Sequence, residues 1–336
     1  MPQKALAQEY PPPGEAAAIA DLAARLQQKI QAQYQDGTMR RDAHPKMHGV
    51  VKALFTVEPD LAPAWRVGVF SEPTTYEAWI RYSNQNAEIQ SDLKGDIRGM
   101  AIKLMGVPGE KLLELDRDAA TQDFIVISTP VFVTRDVAQF DALIKAMVAG
   151  IVPMLWFFAT HWRATWNLVS AMKKIGNPLA IRYWSTTPYL FGGAAVKYSA
   201  IPTTPIDDCI PSNAGPDFLR EAMVEQLKRG EVSFDFAVQK QLDADTMPIE
   251  DPGVRWSEQA SPFIKLATIR IPLQEFDSAA QREFGENLSF NPWHSLPEHR
   301  PLGGINRARR IVYETISRFR HERNQVPQVE PTSWQI

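Results

Sequence analysis

Asn306-Arg-Ala-Arg-Arg-Ile-Val-Tyr313-Glu-Thr-Ile-Ser-Arg-Phe-Arg320 is the stretch from which the rest of the chain is best interpreted. At about 100° per residue, Arg309, Tyr313 and Arg320 fall within roughly 40° of one another on a helix, beside apolar residues. A guanidinium one turn away favours the charged form of a phenol, whose pKa is otherwise near 10. The stretch therefore predicts either a basic helix with a solvated arginine face and a core tyrosine, or a helix that offers an anionic oxygen to a ferric ion.

Composition limits the class of protein. The chain has 336 residues, of which 44% are hydrophobic, so it can bury a large core as one big domain or two ordinary ones. A formal net charge of -3 gives no overall attraction to nucleic acid, and we expect no nucleic-acid partner. Cys209 is the only cysteine, which is typical of a protein in a reducing compartment. The N-terminus lacks the pattern of a secretion signal, so the expected location is the cytoplasm.

The most hydrophobic run, residues 146–159, lies in a region of helical spacing that extends from residue 137 to about residue 176. The run contains a proline and is shorter than the roughly 20 residues needed to span a bilayer. Trp156, Trp162 and Trp166 lie in the same region. Either they pack in the core, or they form an apolar entrance for a fatty-acyl substrate or a patch that dips into a membrane surface. Peripheral contact with a membrane is therefore left open.

Strand-like segments lie on both sides of this helical region. The candidates are the later part of residues 41–57, residues 67–70, 77–83 and 100–105, a segment that ends before Pro130, and residues 195–201, 232–238 and 263–271. Because helices do not alternate with these strands, we expect an α+β fold built on a closed antiparallel barrel of roughly eight strands, not a parallel α/β sheet. Helical spacing from Ile19 to Ile30 predicts an amphipathic helix that packs outside this body.

This pattern divides the chain into two parts. Residues 1–40 form an N-terminal arm and helix, and residues 41–336 form a single domain. Within that domain we expect barrel strands at about 48–132 and 195–272, a helical insertion at about 137–190, and the tyrosine helix at about 305–324.

Arginine and histidine are grouped around the start of the first barrel strand, in Arg41-Asp-Ala-His44-Pro-Lys-Met-His48. The neighbouring proline and glycine argue against a helix, so the two histidines are not a helical metal pair. On a strand, His44 and His48 would point to the same side, and such a pair is more often structural than catalytic. A later strand ends in Arg81-Tyr-Ser83, where alternation places Arg81 and Ser83 on one face.

Together and in this order, these segments resemble the haem catalase superfamily from about residue 41 to residue 320. The segment with His44 is similar to the family's distal segment, Arg81-Tyr-Ser83 to its Arg-Phe-Ser, and Arg309-x-x-x-Tyr313 to its proximal motif. Asp96-Ile-Arg-Gly-Met-Ala-Ile-Lys resembles the family's Asp-Pro-Arg-Gly-Phe-Ala-x-Lys. The short chain is more similar to the small catalase-related hydroperoxidases and allene oxide synthases than to the true catalases.

The resemblance implies haem b as the cofactor, bound between His44 on the distal side and Tyr313 on the proximal side. His44 and Ser83 would be catalytic, with Ser83 orienting the imidazole, and a tyrosinate at Tyr313 would be the axial ligand of the haem iron. Asp96 would line the approach channel. The residues that would hold the haem and its propionates are Arg41, Arg81, Phe140, Arg309, Tyr313 and Arg320.

The distal side departs from the family pattern at one position. The stretch from Asp123 to Asp136 resembles the catalase segment Gly-Asn-Asn-Thr-Pro-x-Phe-Phe-x-Arg-Asp, but Ile127 stands in register with the distal asparagine. An amide there helps to hold and polarise peroxide, whereas isoleucine cannot form a hydrogen bond. Ala43, where the family usually has valine, should also widen the pocket.

The expected function is therefore that of a haem-dependent peroxidase that acts on organic or fatty-acyl hydroperoxides rather than hydrogen peroxide. The partners implied are a small-molecule hydroperoxide and an electron donor that the sequence does not identify. Family members are commonly oligomeric, so a homo-oligomer is also implied. Three alternatives stay open: a fatty-acid hydroperoxide isomerase or dehydratase similar to allene oxide synthase, a non-catalytic haem carrier or sensor, and a haem-free barrel that binds lipid.

Overall fold

A closed ring of antiparallel strands forms the body of the molecule in the computed structural model, which describes residues 4–35, 37–41 and 43–336. The strands are β1 (Lys46–Val57), β2 (Thr75–Asn84), β3 (Arg98–Met105), β4 (Thr121–Ile127), β5 (Tyr183–Trp184), β6 (Tyr189–Phe191), β7 (Ala194–Pro202), β8 (Val232–Lys240) and β9 (Ile264–Ile271). They follow the order β5-β4-β3-β2-β1-β9-β8-β7, and pairing of β5 with β7 closes the ring while β6 extends it as a hairpin. The predicted α+β fold with a closed barrel of about eight strands is confirmed.

Helices surround the barrel. They are α1 (Glu15–Gln33), α2 (Val137–Ala149), α3 (Ile151–Thr160), α4 (Trp162–Ala171), α5 (Phe218–Arg229), α6 (Ala279–Asn287) and α7 (Gly304–Asn324). Local chemistry explains where α2 begins and where it ends. Asp136 caps the start of α2 by accepting from the backbone N–H of Gln139, and Gly150, at φ 113°, separates α2 from α3.

Aromatic side chains fill the interior of the barrel. The ring of Phe124 lies 4.9 Å from that of Phe236 and 5.1 Å from that of Tyr198, centre to centre. His299 closes this core: its Nε2 accepts from the backbone N–H of Val69 at 3.2 Å, and its Nδ1 lies 3.1 Å from the Tyr198 hydroxyl. Burial lowers the pKa of His299 to about 3, so the imidazole is neutral in the folded protein.

The prediction of a strand at residues 67–70 is wrong, because Gly68–Phe70 form a short 3-10 helix. Gly68 adopts φ +54°, and a Cβ at this position would lie 2.3 Å from the His299 Nε2. The chain must therefore turn here to pass the buried imidazole. The turn also directs Phe70 into the aromatic core.

The expectation that His44 and His48 share one side of a strand is also wrong. β1 begins at Lys46, so His44 precedes it, with a left-handed backbone at φ 63°. The register of β1 against β2 shifts between Met47 and Gly49, which breaks the alternation at His48. His48 is buried, and its Nε2 lies 2.7 Å from the Asn84 Oδ1, which is the structural role expected of such a histidine.

The N-terminal segment packs directly on α7. Buried residues of α1, such as Leu22 and Leu26, form one apolar cluster with Val312 of α7 and Val137 of α2. Arg307 of α7 reaches three carboxylates: it forms ion pairs with Glu9, with Glu15 at 2.5 Å and with Glu250 at 2.7 Å. These ion pairs account for part of the positive charge of α7 without any bound anion.

Replacing Arg307 with methionine should destabilise the protein by about 1–3 kcal/mol, because it leaves the largely buried Glu15 without its cationic partner. Urea unfolding of the purified variant would measure this loss. The matched control is Arg318→Met, which removes an exposed arginine from the same helix and should change the free energy of unfolding by less than about 0.5 kcal/mol. Equal effects of the two substitutions would contradict the proposed anchoring of α7 through Arg307.

Candidate functional site

A row of three residues crosses the sheet just beside His44. Ser83 on β2 lies opposite Gly99 on β3, and Gly99 lies opposite Ile127 on β4. Residues that oppose each other in antiparallel strands direct their side chains to the same face. The row therefore offers a hydroxyl on one side of Gly99 and an apolar side chain on the other.

The imidazole of His44 rests in the gap that Gly99 leaves. A Cβ on Gly99 would lie 2.6 Å from the His44 Cε1 and 3.0 Å from the Ser83 Oγ, so no larger residue fits without displacing the ring. The His44 Nδ1 lies 3.0 Å from the Ser83 Oγ, which sets the orientation of the ring. His44 is thus held between Ser83 and the wall formed by Ile127.

The backbone at His44 is held in an unfavourable conformation by its neighbours. A positive φ costs a non-glycine residue roughly 1–2 kcal/mol, and such conformations cluster at functional sites. The His44 N–H donates to the carbonyl of Gln85 at 3.3 Å, and its carbonyl accepts from the Arg81 Nη2 at 3.0 Å. Arg81 therefore positions His44 as well as carrying a charge beside it.

His44 is neutral in this environment. Burial lowers its pKa to about 3, with further lowering from the positive charges of Arg81, Arg309 and Arg41. A neutral imidazole can accept a proton from a ligand at pH 7. Of these three arginines, Arg309 lies on α7, Arg81 lies on β2 and Arg41 precedes β1.

Three arginines that the sequence places far apart converge on one residue, Glu286. Arg81 Nη2 lies 3.3 Å from Glu286 Oε1, Arg41 Nη1 lies 3.8 Å from Glu286 Oε2, and Arg320 Nη1 donates to the backbone carbonyl of Glu286 at 2.6 Å. Burial lowers the pKa of Arg41 well below its usual range, and the charges of Arg81 and Arg320 add to this effect. Although burial alone would raise it, the pKa of Glu286 is lowered by these arginines.

Among the described residues, the cluster of Arg41, Arg81, Arg320 and Glu286 carries more positive than negative charge. Burying charge that is not balanced is costly, so the site is suited to an anionic ligand. Glu286 is the residue that the sequence analysis missed here. Three arginines directed at one place require an acidic residue as counter-ion, and this requirement could have pointed to Glu286.

Helix α7 carries Arg309 and Tyr313, the residues expected on the proximal side. Arg309 Nη1 donates to Thr187 Oγ1 and to Asn306 Oδ1, both at 3.3 Å, and its guanidinium lies 5.7 Å from the centre of the Phe132 ring. Tyr313 is half-buried one turn later, packed against the apolar cluster of α1, α2 and α7. No sequence motif assigned a role to Thr187 or Phe132, which contact Arg309 only through the tertiary fold, or to Asn306, which lies three residues earlier on the same helix.

Phe140 and Asp96 lie at the borders of this region. The ring of Phe140 packs edge-on against Phe132, at 5.5 Å between centres, and so lies close to Arg309. Asp96 is buried, accepts from the backbone N–H groups of Asn86 and Ile97, and forms a backbone bridge to Lys173 just after α4. Burial raises the pKa of Asp96.

A pocket borders Tyr313 on a different side. Its lining includes Asp116, Asp123 and Glu330, and it includes neither His44 nor Arg309. Since none of Arg41, Arg81 and Arg320 lines it either, this pocket is not the site to which the arginine cluster belongs.

Known proteins similar to this chain were found by sequence and by fold. No protein-family model matches the chain. Over 266 residues it is 29% identical to a catalase-related peroxidase from Mycolicibacterium paratuberculosis (strain ATCC BAA-968 / K-10), which covers 74% of this chain and 79% of that protein. Its fold is similar to that of a fungal catalase, with a TM-score of 0.70 and 16% identity over 95% of this chain and 66% of the catalase. For catalase A from Saccharomyces cerevisiae the TM-score is 0.70, with 17% identity over 95% of this chain and 67% of the catalase.

The chain thus spans about two thirds of the length of the solved catalases that it matches. The resemblance to the haem catalase superfamily, and to its small catalase-related branch, is confirmed by these similarities in sequence and fold. The catalase-like barrel is the fold of this chain.

Substituting alanine for Gly99 should displace the His44 imidazole, since the new Cβ would come within 2.6 Å of the ring. Turnover of an organic hydroperoxide, the substrate class expected from the sequence, should fall by about 10²-fold, because catalytic groups tolerate little misplacement. Steady-state kinetics and the thermal midpoint would be measured together. Gly193→Ala is the matched control, with no atom within 4 Å of the added Cβ, and it should leave turnover unchanged. Normal turnover in Gly99→Ala would contradict the placement of the His44 imidazole against Gly99.

Proposed function

We propose that this chain is a haem-dependent peroxidase that acts on organic hydroperoxides in preference to hydrogen peroxide. The observation that carries the proposal is the row of Ser83, Gly99 and Ile127, with a neutral imidazole at its centre and an apolar residue beside it. The catalase-related peroxidase to which the chain is similar supports a peroxide as the substrate.

The residues present fit haem b. Carboxylates such as the haem propionates would neutralise the excess positive charge around Glu286, and Arg41, Arg81 and Arg320 would hold them. Tyr313 would provide the oxygen ligand of the iron, and Arg309 lies one turn before it on the same helix. Bound in this way, the haem iron would supply the redox chemistry that splits the peroxide O–O bond.

His44 would act as the proton carrier of the reaction. With a pKa of about 3 it is unprotonated at neutral pH, so it can take the proton of the hydroperoxide and return it to the leaving oxygen. Ser83 would keep the ring in the required orientation. An external donor would supply the two electrons with which a hydroperoxide, ROOH, and two protons become an alcohol and water.

The apolar wall would set the preference for the substrate. Ile127 is buried with Ile97 and Ala171, and Leu168 packs against the same cluster. Ile127 has no amide that could form a hydrogen bond with hydrogen peroxide. Burial of an alkyl chain, in contrast, would contribute roughly 0.8 kcal/mol of binding free energy for each methylene group. These contributions favour an organic hydroperoxide.

Rates with cumene hydroperoxide and with hydrogen peroxide should show the preference directly. We expect kcat/KM to be at least about tenfold higher for cumene hydroperoxide, and we expect Ile127→Asn to shift the ratio towards hydrogen peroxide by about 10²-fold, the usual value of one well-placed hydrogen-bond donor. Ile127→Leu, which keeps the volume and adds no amide, is the control and should retain the preference. A wild-type preference for hydrogen peroxide would refute the proposal, as would a rearranged product formed without any electron donor.

Absorption spectra and turnover rates can distinguish the proposed role of Tyr313 from that of His44. Tyr313→Phe should change the haem absorption spectrum because the anionic oxygen ligand is lost, whereas His44→Ala should keep the spectrum and reduce turnover by about 10²- to 10⁴-fold. Since the pKa of His44 is about 3, wild-type turnover should not decline through protonation of this residue between pH 8 and pH 5. An unchanged spectrum in Tyr313→Phe would show that another residue binds the iron.

A further inference from the structure

The outward sides of α3 and α4 form an apolar surface, here named the α3–α4 face. It consists of Ile151, Val152, Leu155, Trp156, Trp162, Trp166 and Val169. Each of these side chains is more than half exposed, and Trp162 is 77% exposed. Monomeric proteins rarely expose contiguous apolar patches of more than a few hundred Å², so a face of this kind indicates contact with another apolar phase or molecule.

Helical geometry keeps these residues together. On α4, Trp162, Trp166 and Val169 fall within roughly 60° of one another at 100° per residue, while the buried Ala164 and Ala171 lie on the opposite side. The helix therefore packs against the body through small residues and presents its largest ones outwards. This is the reverse of the pattern expected if the tryptophans served the core.

The charged side chains that the sequence places in and just after α3 and α4 are all basic. The sequence contains no aspartate or glutamate between Asp141 and Asp207, whereas Lys145, Arg163, Lys173 and Lys174 lie in or next to α2–α4. Lys145 is paired with Asp141 and Arg163 with Asp251. No ion pair of Lys173 or Lys174 occurs in the described ranges, so the end of α4 keeps free positive charge.

We propose that the α3–α4 face docks on the surface of an anionic lipid bilayer. Tryptophan favours the boundary between headgroups and acyl chains, and lysine near an anionic leaflet contributes about 1 kcal/mol of attraction. Among the helices of the described chain, none has the length and hydrophobicity that crossing a bilayer requires. The face would therefore lie in the interfacial layer, as amphipathic surface helices do.

A second copy of the chain is a poorer partner for the same face. In a twofold contact both copies present the same surface, so the α3–α4 sequence of the second copy would offer no acidic side chain to pair with Lys173 and Lys174. Like charges placed opposite each other across an interface are unfavourable. The cationic border therefore favours an anionic partner over a copy of itself.

Docking would bring the membrane close to the candidate site. The inner side of α4 contributes Ala171 and Leu168 to the cluster that contains Ile127, and the bridge between Asp96 and Lys173 lies where α4 ends. Acyl hydroperoxides dissolved in the bilayer would then be near the apolar wall beside His44. This consequence rests on the proposed function, whereas the docking itself does not.

Flotation of the purified full chain with lipid vesicles tests the docking without measuring turnover. We expect the protein to float with vesicles of phosphatidylcholine and phosphatidylglycerol, more weakly with phosphatidylcholine alone, and more weakly when salt is raised. The triple variant W156S/W162S/W166S should bind the anionic vesicles at least about tenfold more weakly. The double variant K173E/K174E should lose the preference for anionic vesicles.

The matched control is Leu115→Ser with Leu273→Ser, which removes two apolar side chains exposed outside the α3–α4 face and should leave vesicle binding unchanged. Thermal midpoints of all variants would verify folding. No flotation with anionic vesicles, or equal flotation of the triple variant and the wild type, would overturn the proposal. So would a dimer that the triple variant disrupts in the absence of vesicle binding. Vesicle binding by a chain that turned over no hydroperoxide would support the docking and reject only the proposed function.

Discussion

The register of β2, β3 and β4 is the constraint on which the rest of the molecule depends. Ser83, Gly99 and Ile127 form one row on the outer face. Their neighbours along the strands, Tyr82, Met100 and Val126, form the adjacent row, whose side chains lie in the barrel core. Because side chains alternate, a slip of one residue would exchange the two rows and remove both core and site. Stability and the geometry of the candidate site are therefore specified by the same hydrogen bonds.

Charge is the second organising element, and it is used differently at the two ends of α7. Near its start, Arg307 is balanced by Glu9, Glu15 and Glu250, and that end is complete within the chain itself. Near its other end, Arg320 donates to the backbone carbonyl of Glu286, whose carboxylate faces Arg41 and Arg81. In the described part of the chain this cluster carries more positive than negative charge. The first arrangement anchors the helix, whereas the second is suited to an anionic ligand.

Helix α4 connects the surface to this site. Its small residues pack next to Ile127, and its large residues face outwards on the α3–α4 face. The two sides of α4 therefore carry the cluster that contains Ile127 and the apolar surface with its cationic border. The proposed preference for organic hydroperoxides and the proposed docking on a bilayer would share a physical basis in the desolvation of apolar surface.

The sequence alone determined the class of fold, the helix that carries Arg309 and Tyr313, and the order of the segments around them, because periodicity and short motifs are local properties of the chain. Only the tertiary structure decided how distant residues meet. It made Glu286 the counter-ion of three arginines, turned Gly68–Phe70 away from a strand to pass His299, and separated the roles of His44 and His48 where β1 begins. These outcomes depend on contacts between residues tens to hundreds of positions apart, and no spacing along the chain records such contacts.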